Sequence, residues 1–150
     1  MKFLRKAFLV LIVAFVGIQF IPTKRNQSNE ILSSDISSTY EIPKNIQLIL
    51  KVSCYDCHSN HTNYPWYNKI QPVSWLLERH IEKGKKELNF SEFGTYSRRR
   101  QKSKLKSIAN QIEENKMPLG SYTFMHKDAI ITKDEKLLLI NWINNLKDSL

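Results

Sequence analysis

Cys54-Tyr55-Asp56-Cys57-His58 contains the only two cysteines of a 150-residue chain, with a histidine directly after the second. Cys-x-x-Cys-His is the attachment signature of c-type haem. Two thiols about one helical turn apart can add to the two vinyl groups of a haem, and the imidazole that follows is held under the ring, within reach of the iron. Cys54 and Cys57 are therefore read as thioether links and His58 as an iron ligand.

Two other chemistries use the same residue types. Cys54, Cys57, His58 and His61 can be counted as a Cys₂His₂ zinc set, but adjacent Cys57 and His58 do not form the separated ligand pairs that zinc sites use. A thiol–disulfide oxidoreductase carries Cys-x-x-Cys beside a βαβ pattern, and the chain has no such pattern.

Upstream, Met1 to Lys6 is basic, and an uninterrupted apolar or small run follows from Ala7 to Gly17, prolonged to Pro22. A basic start before such a run is an export signal, with the positive end left in the cytoplasm. As a helix, Ala7 to Pro22 would span about 24 Å, short of the roughly 30 Å hydrocarbon core. Nothing like Ala-x-Ala follows it, so an uncleaved anchor is the expectation and a removed signal peptide the alternative. Covalent haem attachment in bacteria takes place outside the inner membrane, so an export route and the cysteine motif support one another. The chain divides on this reading into a signal anchor or signal peptide (1–22), a polar Ser/Asn-rich linker (23–41) and a haem-binding domain (42–150).

Within that domain four helices are predicted. The first follows Pro43, puts Ile46, Ile49, Leu50 and Ser53 on one face and runs straight into Cys54. The second runs from Pro72 to about Leu88, with Val73, Leu76, Leu77, His80 and Ile81 as its stripe and Gly84 as a weak point. The third covers about Ser97 to Asn115, with Leu105, Ile108, Ala109 and Ile112 inward. Thr132 and Glu135 form a capping box that opens the fourth, whose stripe is Leu138, Leu139, Trp142, Ile143 and Leu146. Between the first two helices, Ser59 to Gln71 mixes turn formers with Tyr64, Trp66 and Tyr67 and reads as a haem-lining loop. No segment alternates with period two, so the domain is all-α.

Four helices with Cys-x-x-Cys-His after the first and Met117-Pro118 late in the chain resemble a class I-like c-type cytochrome. Ser53 to Asn60, Tyr64-Pro65-Trp66-Tyr67, Pro72-Val73-Ser74-Trp75, Leu88-Asn89-Phe90-Ser91, Met117-Pro118 and Tyr122 are more closely similar to the bacterial haem-binding domain family of exported, cytochrome-like proteins. The resemblance covers the chain from about Ile42 to Leu146. It implies a cytochrome c-like bundle around one haem c, bound through Cys54 and Cys57 with His58 as proximal ligand. It also implies Met117 as the sixth ligand, because such cytochromes take a Met just before Pro from a late loop; a thioether raises the potential relative to bis-His ligation. His126, in the same loop region, is the rival, with Met125 and an open sixth position as further alternatives. His80 is read as a packed core histidine, and His61 follows His58 too closely to reach the opposite ring face.

The formal charge is +9, from 23 Lys and Arg against 14 Asp and Glu. Arg98, Arg99, Arg100, Lys102, Lys104 and Lys106 concentrate part of it on the third predicted helix, as solvated surface or a docking patch for an acidic redox protein. Export argues against nucleic acid as a partner. No paired carboxylates, nucleophile–base set or phosphate-cradling glycine loop suits hydrolysis or group transfer. The expectation is thus a membrane-tethered periplasmic electron carrier and not a catalyst. The alternative is a haem-based sensor or ligand-binding module, or an accessory to a peroxidase-like system.

Overall fold

A computed structural model describes residues 2–150; Met1, the first residue of the expected anchor, lies outside them. The described chain is all-helical, with one isolated bridge between Gln27 and His61. Its α-helices are α1 (Lys2–Ile18), α2 (Ile36–Thr39), α3 (Lys44–Ser53), α4 (Tyr55–His58), α5 (Val73–Glu87), α6 (Arg98–Glu113), α7 (Gly120–Met125) and α8 (Lys133–Ser149). Three 3₁₀ turns lie between them, at Trp66–Lys69, Phe90–Thr95 and Lys127–Ala129. The long helices of the domain, α3, α5, α6 and α8, are the four that periodicity predicts, and the all-α class holds.

Their ends follow local chemistry. Pro43 and Pro72 occupy the N-cap positions of α3 and α5, where a missing N–H costs nothing. The Ser97 hydroxyl accepts the Arg100 N–H at 3.4 Å to open α6. At α8 the Thr132 N–H donates to Glu135 Oε2 at 2.8 Å and the Glu135 N–H returns to Thr132 Oγ1 at 3.3 Å, closing the expected capping box. Asn115, at φ 55°, stops α6 in the left-handed region that favours Gly and Asn.

The core is one cluster. Leu105, Ala109 and Ile112 of α6 meet Leu139 and Ile143 of α8, and Ile46, Ile49 and Leu50 of α3 close over them with Phe90 and Phe93. Fully burying a side chain such as Leu50, Leu105 or Leu139 contributes about 1.5–3 kcal/mol each. Leu138, expected in the α8 stripe, is instead 47% exposed, because the inward face runs through Leu139 and Ile143.

One segment differs from its sequence reading. Residues 26–39, within the stretch read as a linker, lie against the domain. Ile36 is fully buried in the core, the Gly94 N–H donates to Ser34 O at 2.7 Å, and Ser28 N and Asn60 O pair at 2.9 Å. A Cβ on Gly94 would stand 2.6 Å from Thr39 Oγ1, so the approach is close enough to require glycine. Ser and Asn side chains that suggested a free tether are satisfying buried backbone groups: Asn26 Nδ2 donates to Ser59 O at 2.9 Å, and Ser34 Oγ to Ser91 O at 2.9 Å. Ahead of this stretch, α1 buries no residue. Its 17 residues span about 25 Å, and no helix among the described residues is long and apolar enough to cross a membrane.

Candidate functional site

Cys54 joins two helices. Its N–H closes α3 on Leu50 O at 2.9 Å, and its own carbonyl accepts from Cys57 N at 3.2 Å and His58 N at 3.0 Å. The motif thus forms a helical turn of its own, α4, and the two thiols stand one turn apart.

Above α4 lies a cleft with two lobes, of about 310 and 270 Å³. Ser53, Cys54, His58, Glu87, Met117 and Pro118 line both. The larger lobe continues along Leu88, Phe90, Ile108 and Ile112; the smaller runs past Cys57, His80, Gly84 and Tyr122. Largely apolar walls with a few convergent polar groups are what a cofactor site offers.

His58 is oriented for ligation. Its Nδ1 lies 3.0 Å from Leu88 O, a contact that requires the Nδ1 proton and leaves Nε2 with a free lone pair. Burial lowers the His58 pKa, a shift that the nearby Lys104 charge reinforces and the bonds to Leu88 and Gly84 oppose. The ring is accordingly neutral, the form a metal needs.

Helix α5 crosses α4 at Gly84, where a Cβ would stand 2.6 Å from the Cys57 carbonyl oxygen. The residue read as a weak point of a helix is therefore the one that lets it touch the motif. Asp56 ties the same turn to its surroundings: Oδ1 accepts from Asn63 N at 3.0 Å, and Oδ2 accepts from Tyr122 OH at 2.7 Å. Burial and the Asp56 carboxylate raise the Tyr122 pKa well above the usual phenol range.

Burial, followed by mutual repulsion with Cys57, pushes the Cys54 thiol up to about 12; burial and Asp56 push Cys57 up to about 11. A thiol–disulfide oxidoreductase needs the opposite shift. The zinc set does not come together either: His61 Nδ1 lies 3.0 Å from Ser28 O, on the far side of the motif's loop. Among the described residues no group of three or more His, Cys, Asp or Glu is gathered for a metal.

Of the candidates for the second axial position, Met117 lies on the cleft. The Lys116 and Met117 N–H groups both return to Gln111 O, at 2.9 and 3.2 Å, so the turn after Asn115 folds back and presents Met117 beside the end of α6. His126 is stacked on Tyr122 at 4.2 Å and lines neither lobe. Met125 lines neither lobe but an adjoining pocket with Tyr67, Val73 and Leu76, which shares Cys57, His80, Leu119 and Tyr122 with the smaller lobe. His80, expected as a core residue, is half-buried on the wall of the smaller lobe.

The Ser59–Gln71 loop departs from its reading: none of its residues lines either lobe, and only Tyr67 reaches the adjoining pocket beside Cys57. Its polar groups are engaged elsewhere, with Tyr64 OH accepting Asn26 N–H at 2.7 Å and donating to Glu78 at 2.9 Å. The wall comes instead from α6 and from Leu88 and Phe90, two residues quoted above for the family resemblance but given no part in the site. The Leu88 contribution is a backbone carbonyl and leaves no side-chain signal; the lone Gly84 inside a helical pattern was the available clue to close approach. Lys104, read as part of a basic surface run, turns to the cleft rim and pairs with Glu87 at 3.7 Å, while Arg98, Arg99, Arg100, Lys102 and Lys106 are exposed.

A family model described as a haem-binding domain matches residues 13–145. No curated protein and no solved structure matches the chain.

Proposed function

The chain belongs to the haem-binding domain family, and from that premise we propose that it is a c-type cytochrome-like carrier of single electrons, with haem c held through thioethers to Cys54 and Cys57, His58 and Met117 as iron ligands, and α1 as its tether to the inner membrane. The observation that carries this reading is that His58, Cys54 and Met117 line both lobes of one apolar cleft. Haem bound there supplies one-electron chemistry, and a Met/His ligand pair raises its potential.

The protein's own groups do the rest. Leu88 O fixes the His58 tautomer and ring orientation, as partners of metal-bound histidines do. Leu88, Phe90, Ile108 and Ile112 exclude water from the larger lobe. Lys104 and Lys83 stand at the rims of the two lobes, where their charges complement the propionates. The exposed arginines and lysines of α6 steer an acidic redox partner. α1, basic at its start and without a buried residue, supports export and tethering, with the domain in the periplasm.

The protein as a sensor or ligand-binding module is favoured by one observation: α7, directly after Met117, buries no residue, so little packing holds that side closed. Carbon monoxide separates the two. The carrier is six-coordinate and low-spin in both oxidation states and its reduced form does not bind carbon monoxide at neutral pH; prompt binding would replace the first reading with the second.

A further inference from the structure

Beside the smaller lobe, the Ser59–Gln71 loop and the start of α5 expose an apolar surface. Trp66 is 71% exposed, and Ile70, Val73 and Leu76 continue from it along the 3₁₀ turn and the first turns of α5. Met125 at the end of α7 joins the same surface through a pocket it shares with Tyr67, Val73 and Leu76, whose inner wall is Cys57, His80 and Tyr122, and Phe124 lies exposed next to it. Large exposed side chains gathered in this way mark an interaction site.

What covers it is indicated by where α1 ends. Gln19 Nε2 donates to Gln71 O at 3.2 Å, Gln71 N donates to Gln19 Oε1 at 2.9 Å, and Gln71 Nε2 donates to Ile21 O at 3.2 Å. Thr23 Oγ1 and Ser74 Oγ pair at 3.1 Å. The residues bonded to the exit of α1 are thus the sequence neighbours of Ile70 and Val73, so the exposed helix leaves the domain beside these exposed apolar residues.

We infer that Trp66, Ile70, Val73, Leu76, Phe124 and Met125 form a membrane-docking face that lies in the interfacial layer of the bilayer entered by α1. The inference rests on the tether reading above and adds an orientation to it. A helix of 17 residues is about 5 Å short of the hydrocarbon core, and an apolar rim seated in the interface makes up for that shortness. Tryptophan concentrates at this depth, with its ring among the headgroups. Exposed Lys24, Lys69 and Lys127 flank the face, and Lys127 lies over the Phe124 ring at 5.0 Å; they complement anionic headgroups, with Asp128 the acidic neighbour. α5 then rises from the interface, and Gly84 stands about 16 Å along it from Val73. The smaller lobe, which shares Cys57, His80 and Tyr122 with the pocket under Met125, thereby lies beside the membrane face.

Hydroxyl-radical footprinting of the full-length haem-loaded protein in nanodiscs of mixed phosphatidylethanolamine and phosphatidylglycerol tests this. Leu137 and Leu138, exposed on α8, serve as internal references. The expected result is that Trp66 and Met125 label more slowly than these leucines, despite indole and thioether being the more reactive groups, and that Met125 loses this protection in Trp66→Glu. Protection of Phe8 in α1 with Trp66 labelled faster than Leu137 would overturn the docking face and leave the tether standing. Labelling of Phe8 would remove the tether and the docking face together. Protection that disappears at one chain per disc would assign the face to a second copy and overturn the inference.

Discussion

The two sides of the cleft are built differently. On the α4 side every residue of the motif is held by something outside it: His58 by Leu88 O, Cys57 by the passing backbone of α5 at Gly84, and Asp56 by Asn63 and Tyr122. On the opposite side Met117 is held by two backbone bonds to Gln111 O, by the turn at Asn115, which Lys136 steadies through the Asn115 side chain, and, five residues on, by the single Tyr122–Asp56 bond. One side is a scaffold that specifies a position in advance, and the other is a short strap laid over it.

Substitutions can break the comparison from either side. The largest effect belongs to Gly84→Val, which drives a branched side chain against the Cys57 carbonyl. Overpacking at such a contact costs about 1–3 kcal/mol, so a lowered midpoint in urea and little haem incorporated are expected. Tyr122→Phe removes the bond that crosses from the strap to Asp56. Bonds to charged groups contribute about 1.5–3 kcal/mol; a loss near the lower bound in denaturant titrations is expected, since Tyr122 is half-exposed. Met117→Ala leaves the scaffold untouched: stability changes by less than about 1 kcal/mol, the iron–sulfur charge-transfer band disappears, and the reduced protein gains carbon monoxide binding. Survival of that band would remove Met117 from the ligand set.

The smallest effect is at Glu135, whose carboxylate caps α8 next to Lys136. The Thr132 backbone N–H and hydroxyl both lower its pKa. Because the folded value lies below the unfolded one, its contribution is present above pH about 4.3 and fades as pH falls through the folded value. Exposed as it is, Glu135→Gln costs only about 0.5 kcal/mol at neutral pH. Wild-type and variant melting temperatures converge as the solution is acidified past that window.

The same contrast separates what could be read in the sequence from what could not. α3, α5, α6 and α8 repeat apolar residues long enough to establish a period, and Pro43, Pro72, Ser97 and Thr132 punctuate them. α2, α4, α7 and the 3₁₀ turns are shorter than two helical turns and carry no periodic signal. The motif could be read because its chemistry fixes its spacing. The Leu88 carbonyl could not, since a backbone acceptor looks alike at every residue, and the stretch 26–39 looked like a tether because the groups its Ser and Asn side chains satisfy lie far along the chain. Trp66 and Tyr67 were read toward the cleft on their ring chemistry alone, although Trp66 faces outward.

The central claim is that Cys54 and Cys57 carry the haem covalently. Acid–acetone extraction of the purified protein, made in a host that matures c-type cytochromes and followed by a pyridine haemochrome spectrum of both phases, tests it most directly. The account predicts that the haem stays with the polypeptide, shows a spectrum with both vinyl groups saturated, and passes to the organic phase in the Cys54→Ala/Cys57→Ala double variant. Haem that leaves the wild-type chain for the acetone, with both thiols free to alkylate, would contradict it.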